Sequence, residues 1–111
     1  MTDEFELYDL AVVVDTIEGH CTCNMRVGDA FYLRGGKISL PADGDFCLYA
    51  MQAVIPLLPA KQRLNHPADW METDACATCP DPNCRLIMRI ERTGRRTLQH
   101  DDVSPIPLTQ E

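Results

Sequence analysis

Alternation dominates the first part of the chain. From Glu6 to Glu18 the β-branched run Val12, Val13, Val14 lies between alternating positions and stops at Gly19, which predicts a strand. Apolar residues on both sides of Val13 predict burial on both faces in its middle. The segment from Arg26 to Leu33 reads as a turn followed by a second strand. Gly35-Gly36 is a hairpin signal, and Lys37 to Leu40 forms the return strand, ended by Pro41. The period then changes. Leu48, Met51, Ile55 and Leu58 recur at helical spacing with Cys47 and Val54 beside them, so this stretch is the main helix. Asp43 or Asp45 is placed to accept the free N–H groups of its first turn. Pro56 predicts a kink or an early end, and Pro59 a stop. Residues Ala60 to Glu72 form a polar connection in which Trp70 covers the core's edge. Alternation returns from Arg85 to Arg92, with Leu86, Met88 and Ile90 on one face and Ile87, Arg89 and Glu91 on the other, a half-buried strand. After residue 96 the pattern is lost.

These elements make an α+β domain over residues 1–96, a small, mostly antiparallel sheet of about four strands with one main helix packed across it, followed by a flexible tail over 97–111. A chain of 111 residues, 45% of them apolar, can bury one modest core. The net charge of −7 argues against a nucleic-acid phosphate backbone as partner. Arg89, Arg92, Arg95 and Arg96 read as a solvated strand end. No apolar run reaches the roughly 20 residues that a membrane helix needs, and the acidic MTDEFELYD start lacks a signal-peptide pattern. The expected location is cytoplasmic, where thiols serve as ligands or stay free rather than forming a disulfide framework.

Six cysteines change the picture. Three fall in METDACATCPDPNCR, at Cys76, Cys79 and Cys84, among prolines that stiffen a loop. Cys21 and Cys23 lie in HCTC, and Cys47 opens the helix. Cys76-x-x-Cys79 suits a metal because two intervening residues let both sulfurs turn to one side of a tight loop. Pro80 after Cys79 echoes the Cys-Pro ending of ferredoxin ligand runs. A helix-opening Cys47 would have its thiolate stabilised by the helix dipole. Core packing also accounts for Cys47, and His20, His66 and His100 read as surface or hydrogen-bonded histidines.

In order and spacing, the chain resembles a family of small conserved hypothetical proteins from bacteria and archaea that carry three separated cysteine motifs. The first is Gly19-His20-Cys21 with Val27-Gly28-Asp29-Ala30-Phe31, the second Cys47 opening an apolar helix, and the third Cys79-Pro80-Asp81-Pro82. The resemblance spans about residues 8–93 and implies a shared three-thiol site at Cys21, Cys47 and Cys79, with no assigned activity. Cys23, Cys76 and Cys84 are additions to that pattern.

Three functions follow as expectations. The first is an iron–sulfur cluster held by Cys21, Cys47, Cys79 and Cys76, in a small electron-transfer or accessory subunit that serves a protein partner or redox enzyme. The second is a structural zinc module, ligated by four thiolates or by three with His20. The third is a thiol enzyme or redox sensor using Cys47 as nucleophile and another cysteine to resolve it. All six cysteines are candidate metal ligands.

Overall fold

A computed structural model describes residues 3–108. Its spine is a pair of long antiparallel strands, β1 (Glu4–Ile17) and β5 (Leu86–Gln99), in register from Glu4↔Gln99 to Ile17↔Leu86. Register shifts between Asp9 and Leu10 and between Val14 and Thr16 interrupt the pairing, as bulges do. On one side β1 pairs with β2 (Ala30–Arg34), which turns through Gly35-Gly36 into β3 (Lys37–Ser39). Gly35 adopts a φ of +60° that suits glycine at this turn. On the other side the short β4 (Cys76–Thr78) pairs with β5, giving the order β3-β2-β1-β5-β4 in one antiparallel sheet.

The main helical run begins with α1 (Leu48–Val54), tightens into a turn of 3-10 helix at Ile55–Leu57, and resumes as α2 (Leu58–Lys61). Pro56 causes this break by removing a backbone donor. Pro59 does not stop the helix, contrary to expectation. It occupies the opening turn of α2, where a missing N–H costs little. Two short helices follow, α3 (Trp70–Thr73) and α4 (His100–Val103).

The α+β class, the antiparallel sheet and the single main helical run agree with the sequence pattern, with one strand more than expected. One face of the sheet supplies Leu10, Val12, Val14, Phe31, Leu33, Leu86, Met88 and Ile90 to a core shared with Ala50, Val54 and Leu58. The buried helical face matches the expected stripe only in part: Leu58 is buried and Met51 packs against the core, but the face is rotated toward Cys47 and Val54. Leu48 is 68% exposed and Ile55 is exposed, while Cys47, Ala50, Val54 and Leu58 point inward. Both sets have helical spacing, so periodicity alone could not choose between them.

Other expectations need correcting. The N-cap of α1 is Cys47, not Asp43 or Asp45. Trp70 is 69% exposed and covers no core edge. β5 runs on past residue 96, with Thr97–Gln99 paired to Glu4–Glu6 and α4 following, because backbone pairing with β1 continues where Phe5–Leu98 is the only apolar pair among these three. Residues 109–111 of the expected tail lie outside the described residues. Arg89, Arg95 and Arg96 remain half-exposed, as a solvated strand end requires, and form surface pairs: Arg89 with Asp15 and Glu91, Arg95 with Glu6, Arg96 with Asp9.

Arg92 does more. It makes a bidentate pair with Glu72, at 2.8 Å to each carboxylate oxygen, donates to the Lys61 and Arg63 carbonyls, and lies 4.4 Å from the Tyr8 ring centre. Buried Lys61 donates to the Met71 and Asp74 carbonyls. Together they tie the connection between α2 and β4 to the sheet. The Arg92 guanidinium, then the Asn65 backbone N–H, hold the Glu72 carboxyl at about 2 against an ordinary 4.5, outweighing desolvation. A carboxylate whose folded pKa is depressed stabilises the fold fully above its unfolded value and loses that contribution as pH falls through the folded one. Melting temperature is expected to decline between pH 4.5 and about 2, and Glu72→Gln should flatten that part of the profile while lowering stability at pH 7. An unchanged profile in the variant would remove this pair from the stability of the fold.

Candidate metal centre

The cysteines gather at the end of the sheet where β1 finishes and β5 begins. Beyond Ile17 the chain continues beside the loop that enters β5: Glu18 N–H donates to the Arg85 carbonyl (3.3 Å), Gly19 N–H to Cys84 (2.9 Å) and His20 N–H to Asn83 (2.8 Å). This contact requires glycine at position 19, because a Cβ there would lie 1.9 Å from the Asn83 carbonyl oxygen. Cys21 is thereby fixed beside Cys84. After Cys21 the backbone turns, Asn24 adopts a left-handed φ of 56°, and the Met25 N–H donates to the Cys21 sulfur (3.4 Å).

The loop between β4 and β5 is shaped by Asp81. Its carboxylate accepts the Asn83 N–H (2.9 Å) and its carbonyl accepts the Cys84 N–H (3.0 Å), a local turn of the kind aspartate favours. The Cys79 N–H donates to the Leu86 carbonyl (2.9 Å), closing the hairpin. Cys79 and Cys84 are buried at its two ends. Cys47 joins them as the N-cap of α1, with Phe46 before it packed edge-on against buried Phe31 at 4.8 Å between ring centres.

Three chain segments thus bring Cys21, Cys47, Cys79 and Cys84 to the wall of one cavity of about 200 Å³, with Thr22, Tyr49 and Asp81 completing the lining. No lysine or arginine lines it. Burial pushes the Cys84 thiol up to about 11, against the Leu86 N–H and helped by neighbouring Cys21 and Cys79. At Cys47 burial also raises the pKa, but the Ala50 N–H, the Cys23 thiol and the Tyr49 N–H prevail and lower it. Cys23 is exposed, and its thiol lies 3.1 Å from the Cys47 sulfur; that hydrogen bond, with desolvation, raises its pKa.

Cys76 stands apart. It lies within β4, paired with Arg89, whereas its neighbour Ala77 pairs with core residue Met88. Side chains alternate along a strand, so residues 76 and 79 point to opposite faces. Cys76 is exposed on the face away from the core while Cys79 is buried. The expected tight C-x-x-C loop is a strand running into a turn, and the cysteine that joins Cys21, Cys47 and Cys79 at the cavity is Cys84. His20 is exposed and is not among the cavity residues. His66 accepts the Ala68 N–H, and His100 is hydrogen-bonded to the Ile106 carbonyl.

The donor set suits a soft, thiolate-bound metal or cluster. The Met25 N–H already donates to the Cys21 sulfur, the kind of outer contact that orients and tunes sulfur ligands. Among the described residues no three Cys, His, Asp or Glu side chains are drawn together tightly enough to hold one ion, so ligation requires the thiols to turn inward from the wall. Comparison with known family models, with curated proteins and with solved structures finds no match.

Proposed function

We propose that the cavity binds a cysteine-ligated metal centre, an iron–sulfur cluster first, with Cys21, Cys47, Cys79 and Cys84 as its ligands. The observation that carries this reading is the convergence of four cysteines from three separate segments on one cavity. Packing alone explains one buried cysteine easily. It does not explain four on one wall, one of them already accepting a backbone N–H. The cysteines of the three resemblance motifs are all in this set, and Cys84 supplies the fourth sulfur that a four-thiolate site needs.

A cluster at this position supplies one-electron transfer. The chain's own contribution is to hold the sulfurs, donate the Met25 N–H to that of Cys21 and shield them within the hairpin and the N-terminus of α1. The corresponding role is a small electron-transfer or accessory subunit that works with a protein partner. Zinc is the second reading, because the same four thiolates form a tetrahedral structural site.

Protein purified anaerobically is expected to be brown and to carry iron with acid-labile sulfide. Colourless protein with one zinc per chain selects the second reading. Protein that takes up neither metal on anaerobic reconstitution defeats both.

A further inference from the structure

We infer that Cys23 and Cys47 form a second functional unit, a redox-active dithiol that closes to a disulfide when it meets a small disulfide substrate. The two residues are 24 apart in sequence and come from an irregular loop and a helix N-terminus, yet their sulfurs lie 3.1 Å apart. A disulfide bond is about 2.0 Å long, so closure asks for a shift of about 1 Å. Cys23 can make that shift. It is exposed and lies outside any strand or helix, in a turn with Asn24 in the left-handed region. Cys47 is only 9% exposed and is fixed by the helix it caps. A shallow recess of about 300 Å³, bordered by Cys23, Met25, Asp45 and Leu48, gives access to both sulfurs. The chain is strongly acidic, which favours a neutral disulfide over an anionic one.

The exposed sulfur meets the reagent first. The Cys23 thiolate attacks one sulfur of RSSR, breaking its S–S bond and expelling RS⁻, which takes up the proton that Cys23 lost. The Cys47 thiolate then attacks the Cys23 sulfur of the mixed disulfide. This forms the Cys23–Cys47 bond and expels the second RS⁻, which takes up the proton from Cys47. Two protein thiols are oxidised and one RSSR is reduced to two RSH.

Cys47 also borders the four-thiol cavity. Resting on the metal reading above, disulfide closure and metal ligation compete for this one sulfur, so a bound metal blocks the disulfide and the disulfide releases the metal. The dithiol itself does not depend on that reading.

The test takes the full chain, reduced and freed of metal by a chelator, and adds 2-hydroxyethyl disulfide under anaerobic conditions. Wild type is expected to lose the Cys23 and Cys47 thiols to each other, with exposed Cys76 taking up a mixed disulfide that Cys76→Ser removes. Trypsin then separates the peptide ending at Arg26 from the one ending at Lys61, and the two should be found linked. Because the first peptide holds both Cys21 and Cys23, variants assign the bond: the link should persist in Cys21→Ser and vanish in Cys23→Ser. Retention of the Cys23 and Cys47 thiols, or a link that survives in Cys23→Ser, overturns the proposal. Metal-loaded protein should lose these thiols at least about tenfold more slowly, since access governs exchange rates. Equal rates overturn the competition for Cys47 while the metal-free result still decides the dithiol.

Discussion

Cys84→Ser is expected to reduce metal content to about a tenth of wild type or less, because a hard, poorly ionised hydroxyl replaces a soft thiolate ligand poorly. Cys76→Ser is expected to leave it unchanged. The contrast is informative because the two residues look alike in sequence, one three positions before Cys79 and the other five after it. Strand alternation turns Cys76 away from the core with Arg89, while the Asp81 turn brings Cys84 back beside Cys21. Cys84 is buried, so a thermal melt and a far-UV spectrum should accompany the metal assay, with Cys84→Ala as a second variant. Folded Cys84 variants with full metal content would exclude this residue from the centre. Loss of metal in Cys76→Ser would show that the strand register of β4 changes on ligation.

Gly19→Ala should be among the most damaging single-methyl changes in the chain. The added Cβ would meet the Asn83 carbonyl oxygen at 1.9 Å and the Cys84 carbonyl oxygen at 2.8 Å. Both are backbone atoms, so relief requires the two segments to separate and the hydrogen bonds of Gly19 and His20 to the Cys84 and Asn83 carbonyls to break. Overpacking of this kind costs about 3 kcal/mol, which for a domain of this size lowers the melting temperature by roughly 12 °C or more. It also moves Cys21 from Cys84, so metal content should fall with stability. Gly36→Ala is the control, since nothing lies within 4 Å of a Cβ there. A Gly19→Ala protein that melts within about 2 °C of wild type would contradict the close approach, given the usual size of overpacking effects.

Much of the sheet was legible because β1, β2, β3 and the start of β5 each combine alternation with a clear boundary. The same code failed where the apolar signal ended but pairing did not: Thr97–Gln99 stay in β5 through backbone partners on β1, and no residue-level pattern announces that. The helix was legible as a helix but not as an oriented one. Leu48 and Ile55 carry more apolar surface than Cys47 and Ala50, yet the smaller residues face the core. Cys21, Cys47 and Cys79, the cysteines of the resemblance, border one cavity at a sheet end. Cys76 does not join them, because Cys76–Thr78 is strand and turns it away from the core, and Cys84 borders the cavity instead. Asp81 and Asn83, a turn pair directly before Cys84, were the signal that favoured it.

X-ray absorption at the metal edge of anaerobically reconstituted wild-type protein tests the central claim most directly. A four-thiolate centre predicts a first shell made of sulfur alone, at about 2.3 Å for either iron–sulfur or zinc ligation, with an iron–iron distance present only for a cluster. A shell dominated by nitrogen or oxygen would contradict the account, as would sulfur ligation that persists unchanged in Cys84→Ser.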